Sequence, residues 1–346
     1  MSDKAESPTS LIPRLPKVEL HLHLEGSIRR ATLEEFSRSK RWLRERIANW
    51  IAERERESYR YQNFQHFLKS FALVALLLER PEDYALVTSK LIDELADQNV
   101  KYAEVTLSAG VILWKQQPIE PVFEAICQAE EEGERRRAVR LRWIFDAVRQ
   151  FGAEHAREVL GWAGRLRSRG VVAFGIGGDE ARGPAAQFAD VYREARDLGL
   201  RVTAHAGETA GPESILAAVE ILGAERIGHG LTILRDPRVV DLVRERRIPL
   251  EVCPTSNVAT GLLRRFEDHP LKDFLAAGLI VTLNSDDPGL FDTSLERELQ
   301  LAASSFALSI EQLVALSENA IHAAFLPQAE QDQLVKSLHA AAKLHV

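Results

Sequence analysis

The stretch Glu19-Leu20-His21-Leu22-His23-Leu24-Glu25-Gly26 decides how the rest of the chain is interpreted, because it alternates polar and apolar residues as a β-strand does. Side chains two positions apart on a strand point to the same face, so His21 and His23 project together. Histidine is a common metal ligand, and two imidazoles on one face are able to meet one ion. A buried histidine is also often a packed core residue. The stretch alone leaves both interpretations open.

The bulk composition is that of a globular protein with small-molecule partners. The 346 residues carry a net charge of −7, with 45% hydrophobic and 27% charged residues. This balance argues against a nucleic-acid partner, and no apolar run is long enough to cross a membrane. The two isolated cysteines fit a reducing, cytoplasmic setting. We expect residues 1–13 to form a flexible tail and residues 14–346 a single domain, while the oligomeric state stays open.

Short apolar runs alternate with helical segments from the first strand onward. After the His-x-His strand they are Lys101–Leu107, Leu141–Val148, Val171–Ile176, Arg201–His205, Arg226–His229, Pro249–Cys253 and Leu279–Asn284. Alternation of this kind is typical of parallel strands buried on both faces. Eight repeats predict an α/β fold, a TIM-type (β/α)8 barrel, with an open doubly wound sheet as the alternative. Extra helices are predicted after strand 1 and at the C-terminus from residue 294.

Polar residues follow the predicted strands where each of them ends. Barrel active sites are built at the carboxyl ends of the strands. The residues at these ends are His21 and His23, Gly177-Gly178-Asp179-Glu180, His205 and Glu208, His229, and Asp286 and Asp287. Three imidazoles and a carboxylate suit a hydrolytic Zn²⁺ ion that keeps one position open for water. We therefore predict one convergent site with one metal ion.

The sequence lacks the motifs of several other classes of nucleotide-binding proteins and deaminases. It has neither a phosphate-binding GxxxxGK[ST] loop nor a dinucleotide fingerprint, and the HxE…PCxxC signature of cytidine-type deaminases is missing. The run Val171–Gly178 contains no lysine, which argues against a binuclear centre bridged by a modified lysine. The pair Asp286-Asp287 could instead cap the helix that follows it.

At these residues the chain resembles the adenosine deaminase family of zinc amidohydrolases. The matching motifs occur in family order: KVELHLHLEGS (17–27), NVKYAEV (99–105), GGDE (177–180), TAHAGE (203–208), RIGHG (226–230), EVCPTSN (251–257) and VTLNSDDP (281–288). The resemblance implies a hydrolase that removes the 6-amino group of a purine as ammonia, using zinc-activated water. A non-catalytic relative, or an amide or ester hydrolase on the same scaffold, are the alternatives from other classes.

The resemblance also implies a role for each matching residue. The implied zinc ligands are His21, His23, His205 and Asp286. The implied catalytic groups are Glu208, which protonates N1 of the purine, His229, which orients the attacking water, and Asp287, which contacts N7. The implied substrate contacts are His23, the Gly178 amide to N3, Glu25 near the ribose, Asp287, and a helix at the pocket mouth with Phe64, Phe67, Leu68 and Phe71.

The chain departs from the family pattern at Gly175, where adenosine deaminases often carry an aspartate. The string Phe174–Glu180 resembles the branch that deaminates 6-aminodeoxyfutalosine, an adenine nucleoside with a carboxyphenyl group at its 5′ end used in menaquinone synthesis. Adenosine stays an equal alternative, and free adenine a lesser one. Arg182 is a candidate partner for the carboxylate of such a 5′ group.

Overall fold

Eight parallel strands form a barrel in strict chain order. The computed structural model describes residues 7–40 and 61–343, with positions 45, 48, 49 and 52 between them. The strands are β1 (Lys17–His23), β2 (Val100–Leu107), β3 (Arg140–Val148), β4 (Val171–Gly177), β5 (Arg201–Ala206), β6 (Arg226–His229), β7 (Leu250–Val252) and β8 (Val281–Leu283). Each strand pairs in parallel with the next, from β1 to β8. The predicted barrel is confirmed, and the open sheet is wrong.

The seam between the last and the first strand is closed in part by a side chain. The Oδ1 atom of Asn284 accepts hydrogen bonds from the backbone N–H groups of Leu20 and His21, at 3.0 and 3.1 Å. Beyond it, Asp286 N donates to His21 O at 3.0 Å, and His23 N donates to Asp286 O at 2.9 Å. The seam therefore brings the loop after β8 directly beside the two histidines of β1.

Helices surround the barrel in the described part of the chain. They are α1 (Pro8–Leu11), α2 (Arg30–Ser39), α3 (Phe64–Leu77), α4 (Pro81–Asp97), α5 (Ala109–Trp114), α6 (Ile119–Arg137), α7 (Gly152–Leu166), α8 (Ala189–Asp197), α9 (Pro212–Ala217), α10 (Pro237–Glu245), α11 (Pro254–Ala259), α12 (Leu271–Ala276), α13 (Pro288–Phe291), α14 (Leu295–Ser304), α15 (Ile310–Ala323) and α16 (Gln328–Ala342). The extra helices predicted after strand 1 and at the C-terminus are confirmed. No described helix combines the length and the apolarity needed to cross a bilayer.

Several helices begin at residues whose side chains accept the free N–H groups of the first turn. Asn63 does so before α3, and Ser294 does so before α14. Ser309 and Gln312 form a reciprocal capping box at the start of α15. Such caps satisfy donors that have no partner inside the helix, so these boundaries follow from sequence.

Two apolar cores hold the molecule together. The larger lies between the barrel and its surrounding helices, and includes the fully buried Trp143. A smaller core joins β1 and β2 to the C-terminal helices α15 and α16, which pack at that side of the barrel. The part of the predicted tail that the structure describes, residues 7–13, includes α1 and buries Leu11 and Ile12 in these cores. The barrel is thus covered outside, while its polar strand ends converge on one site.

Candidate active site and metal centre

Ligand atoms from four strand ends converge inside the barrel mouth. One atom each of His21, His205, His229 and Asp286 lies within 4.8 Å of all the others. Nε2 of His21 and Nε2 of His23 are both 3.4 Å from Asp286 Oδ1. The group therefore contains three of the four predicted ligands together with His229, and the fourth predicted ligand, His23, approaches it at Asp286.

The local backbone fits these side chains to one another. A Cβ atom added at Gly228 would stand 2.7 Å from Cε1 of His21, so the imidazole ring packs directly on the β6 backbone. His229 and Asp286 both have a φ of 63°, in the left-handed region that non-glycine residues seldom adopt. Such strain persists where surrounding structure enforces it, often at functional sites.

The orientation of the rings suits a metal ion. Nδ1 of His21 is 2.8 Å from Glu251 Oε2, and Nδ1 of His205 is 3.2 Å from the carbonyl oxygen of Ile176, so each ring presents Nε2 to the centre. Metal-binding histidines are commonly held in this way by an acceptor at the other nitrogen. Nε2 of His21 and Nδ1 of His23 are buried without a hydrogen-bond partner in the described structure. Buried polar atoms seldom stay unpaired, so the donor set fits a cation such as zinc.

The charges in the cluster are strongly coupled. Burial lowers the pKa of His205 well below its usual range and lowers that of His23 to about 4, which keeps both rings neutral, as metal ligation requires. Burial also opposes charge on His21 and Asp286. Their close approach and mutual attraction nevertheless raise the pKa of His21 to about 10, with help from Glu251, and lower that of Asp286. Asp286 is therefore ionised and able to bind a cation.

Glu208 is fixed next to this cluster by a second carboxylate. The side chain of Glu180 accepts hydrogen bonds from the backbone N–H groups of Gly207, Glu208 and Thr209, at 2.8, 2.9 and 2.8 Å. Glu208 Oε1 then lies 3.6 Å from Nε2 of His229. Burial raises the pKa of Glu208 well above its usual range, and the carboxylates of Asp286 and Glu180 add to the rise. Both influences favour the protonated form of Glu208.

One cavity of about 360 Å³ opens onto the cluster. Its lining contains these predicted site residues: His23, Phe64, Phe67, Leu68, Phe71, Gly178, His205, Glu208, His229, Asp286 and Asp287. The rings of Trp114 and Phe151 also line it, stacked with their centroids 5.9 Å apart and their planes 11° apart. The cavity therefore has a polar floor and an aromatic mouth.

Asp287 is available to a ligand. Its side chain does not cap α13, and its buried Oδ1 atom has no hydrogen-bond partner in the described structure. Burial and the neighbouring Asp286 raise its pKa well above the usual range, which favours its protonated form. The capping alternative raised by the sequence is therefore not what the side chain does.

Two predicted contacts lie elsewhere. Glu25 is buried outside the cavity lining, and its Oε1 atom accepts a hydrogen bond from Ser108 N at 3.1 Å. Arg182 is exposed and is not part of the lining either. Neither the arginines nor the lysines of the described structure reach the cavity wall.

The sequence matches the family described as adenosine deaminase over residues 16–341. The chain belongs to the adenosine deaminase family. An aminodeoxyfutalosine deaminase from Streptomyces avermitilis is 38% identical over 343 residues, covering 95% of this chain and 92% of the relative. As a member of this metal-dependent family, the chain is a hydrolytic deaminase, as its motifs predict.

Solved structures of relatives share the whole fold. An adenine deaminase from Arthrobacter aurescens superposes with a TM-score of 0.87 at 26% identity, covering 95% of this chain and 99% of that one. An amidohydrolase from Burkholderia ambifaria with bound zinc gives a TM-score of 0.83 at 25% identity, covering 98% and 97%. The family barrel thus extends over nearly the full length of the chain.

Three further residues lie around the site that were not predicted from the sequence. Glu251 holds His21, Asn257 Nδ2 lies 3.3 Å from Nδ1 of His229, and Asp146 lines the cavity. Glu251 and Asp146 are single acids within apolar strand runs, and this is the signal that could have found them. Asn257 carries no comparable signal, since it stands in a loop motif with several polar residues.

Proposed function

We propose that this chain is a zinc-dependent deaminase of 6-aminopurine nucleosides, with 6-aminodeoxyfutalosine as its substrate. One observation carries the proposal. The same cavity holds the histidine–aspartate cluster and Glu208 at its floor and the stacked pair Trp114–Phe151 at its mouth. A purine at the floor would then direct its sugar and 5′ group towards the aromatic rings.

His21, His23, His205 and Asp286 would hold the zinc ion. A bound zinc ion supplies a Lewis acid that makes water nucleophilic at neutral pH. His229 belongs to the group of ligand atoms within 4.8 Å of one another, whereas His23 does not, so the role of His229 needs a separate argument. Nε2 of His229 lies between Asp286 Oδ2, at 3.9 Å, and Glu208 Oε1, at 3.6 Å. This position between a ligand and the acid suits a group that orients water and moves its proton.

The purine ring would be held at its edges by groups with free hydrogen-bonding capacity. Glu208 donates its proton to N1, which makes C6 electrophilic, and the protonated Asp287 donates to N7. The Gly178 amide donates to N3; Gly178 has a φ of 93°, and a Cβ atom there would meet Gln150 Oε1 at 2.3 Å. Departure of the amino group as ammonia requires a proton, for which Glu208 and His229 are the nearest carriers.

The mouth supports a nucleoside with an aromatic 5′ group. Trp114 is 57% exposed, the largest exposure among the big apolar side chains that the structure describes as exposed. A phenyl ring stacked there would cover this indole, while its carboxylate would remain in water. Such an arrangement needs no arginine on the cavity wall. The relative from Streptomyces avermitilis, named for the same substrate, agrees with this assignment.

Adenosine is the second candidate, because the matching family is described by it. Adenosine would occupy the floor and leave the aromatic mouth unfilled. Free adenine would lose the sugar contacts as well. A non-catalytic role would be favoured by the loss of a ligand or of the acid, and none of them is missing here.

The experiment compares kcat/KM for 6-aminodeoxyfutalosine, adenosine and adenine on one zinc-loaded preparation. We expect the highest value for 6-aminodeoxyfutalosine, with ammonia released in equal amount to product. A higher value for adenosine would replace the substrate assignment and leave the chemistry intact. Failure to release ammonia from any of the three would overturn the proposed function.

A further inference from the structure

A row of three buried charges lies behind His21, outside the lining of the cavity. Glu251 Oε2 is 2.8 Å from His21 Nδ1, and its other oxygen, Oε1, accepts a hydrogen bond from Arg226 Nε at 2.5 Å. Arg226 Nη2 is 2.6 Å from Glu104 Oε2. Glu104 belongs to β2, Arg226 begins β6 and Glu251 belongs to β7. The charge row therefore crosses the barrel interior from one side to the other.

The far end of the charge row contacts the last residue of α15 and the segment that follows this helix. Phe325 N donates a hydrogen bond to Glu104 Oε1 at 2.5 Å, and Arg226 Nη1 donates to Ala323 O at 2.9 Å. The ring of Phe325 also stacks on the Arg226 guanidinium, with the ring centroid 3.9 Å from Cζ. The segment 323–325 is thus bound to the charge row by three separate contacts.

The three side chains of the charge row are almost completely buried, which restricts their movement. The side chains of Arg226, Glu104 and Glu251 are 1, 0 and 4% exposed. A buried charge that loses its partner is strongly destabilising, so displacement of one of the three side chains is opposed by the other two. Glu251 therefore stays where Arg226 holds it, with its other oxygen at hydrogen-bond distance from His21 Nδ1.

We propose that the Glu104–Arg226–Glu251 row is a positioning device for the metal centre, which ties the segment around Phe325 to the ring of His21. Glu251 fixes the tautomer and direction of this ring, and Arg226 fixes Glu251. Metal affinity then depends on an aromatic ring that does not line the cavity. This inference rests on the metal-binding part of the proposed function, and it does not depend on which purine is the substrate.

The test measures zinc affinity by competition with a chromogenic chelator, in the full-length chain. Glu251→Gln keeps the shape and removes the charge, and we expect its zinc dissociation constant to rise by roughly 10–100-fold, the usual effect of losing such an outer partner. Phe325→Leu keeps an apolar side chain and removes only the stacking on Arg226, and we expect a rise of roughly threefold to tenfold. Phe266→Leu, at another partly buried phenylalanine, is the matched control and should bind zinc as the unchanged chain does.

A second readout separates positioning from a general loss of stability. Cobalt bound in place of zinc has a visible spectrum that reports ligand geometry, and we expect this spectrum to change in Glu251→Gln and in Phe325→Leu. An unchanged spectrum and unchanged affinity in both variants would overturn the inference. If Glu251→Gln fails to fold, Phe325→Leu decides alone. An unchanged chain that binds no zinc would overturn the proposed function together with this inference, whereas zinc binding that is equal in all variants would overturn the inference only.

Discussion

The carboxylate of Asp287 lies directly against the backbone of Gly26: a Cβ atom added at Gly26 would stand 1.6 Å from Asp287 Oδ1. Asp287 belongs to the loop after β8, and Gly26 follows the His-x-His strand at the other end of the barrel sequence. Glycine is required at position 26 because Asp287 approaches so closely. The backbone conformation does not require it, since the φ of Gly26 is not positive. The space for the Asp287 side chain therefore depends on the absence of a side chain at Gly26, which follows the neighbouring strand β1.

Gly26→Ala is expected to displace Asp287 and to lower kcat/KM at least 100-fold, because the loss of one well-placed group typically costs two or more powers of ten. Zinc content should decrease less than activity does, since Asp287 is not one of the proposed zinc ligands. Gly161→Ala is the control, because a Cβ atom there meets nothing within 4 Å. Full activity in Gly26→Ala would show that Asp287 has no part in the reaction.

Glu208→Gln is expected to keep zinc bound and to lower kcat by roughly two to four powers of ten, because an amide cannot transfer a proton to N1. The measurement is steady-state kinetics alongside zinc analysis of the same preparation. Glutamine has nearly the same shape as glutamate and adds no charge at this buried position, so the variant should fold normally. A decrease of less than tenfold would assign the acid role to another group.

His21→Ala and Asp286→Ala are each expected to lose zinc and activity together, because each removes one of the converging ligands. His66→Ala, at a partly exposed histidine outside the cavity lining, is the control and should retain both. Metal analysis after dialysis, followed by an activity assay with and without added zinc, gives the result. Turnover by a metal-depleted variant would refute the ligand set.

The barrel and the convergence of its strand ends could be predicted because both follow from periodic patterns. Alternation of apolar runs with helices fixes the topology, and strand ends such as His205 and Asp286 must then meet at one face. The second layer could not be predicted in the same way. Glu251 meets His21, and Gly26 accommodates Asp287, through contacts between residues more than 200 positions apart, and no local pattern encodes such pairs.

The departure at Gly175 acquires a physical explanation from its neighbour across the sheet. Gly175 pairs with Asp146, and a Cβ atom added at Gly175 would lie 3.1 Å from Asp146 Oδ1. The space beside Gly175 on β4 is therefore occupied by the carboxylate of Asp146 on β3. Burial raises its pKa to about 8, so a second carboxylate beside it would be poorly tolerated.

Gly175→Asp is accordingly expected to lower the free energy of unfolding by about 3 kcal/mol, as for other uncompensated buried charges. The double variant Asp146→Gly/Gly175→Asp restores one carboxylate to the same space and should recover most of this loss. Urea unfolding of the two single variants and the double variant provides the coupling free energy, expected to exceed about 1 kcal/mol. Additive effects would show that the two positions do not share this space.

The pH dependence of stability should carry a contribution from His269. This ring is buried between Phe274 and Phe306, and burial lowers its pKa to about 3. Below about pH 6.5 the unfolded chain binds a proton at His269, whereas the folded chain does not until about pH 3. The free energy of unfolding therefore decreases as the pH falls from 6.5 towards 3. Between pH 7 and pH 4, the free energy of unfolding of His269→Phe should decrease by roughly 3 kcal/mol less than that of the unchanged chain.

The measurement for His269 is a series of urea unfolding curves across this pH range. His322→Phe is the control, because His322 is exposed, and its curves should follow those of the unchanged chain. Parallel pH profiles for His269→Phe and the unchanged chain would contradict the assigned contribution.

The seam at Asn284 has a consequence for how the protein is made. Two of the proposed ligands, His21 and His23, leave the ribosome before Asp286 and before Asn284, the amide that joins the barrel ends, because these residues lie more than 260 positions later in the chain. Early in synthesis, the nascent chain has histidines but no enclosed position for a cation. Binding of the proposed metal ion would therefore be a late event, after the first and last strands have met.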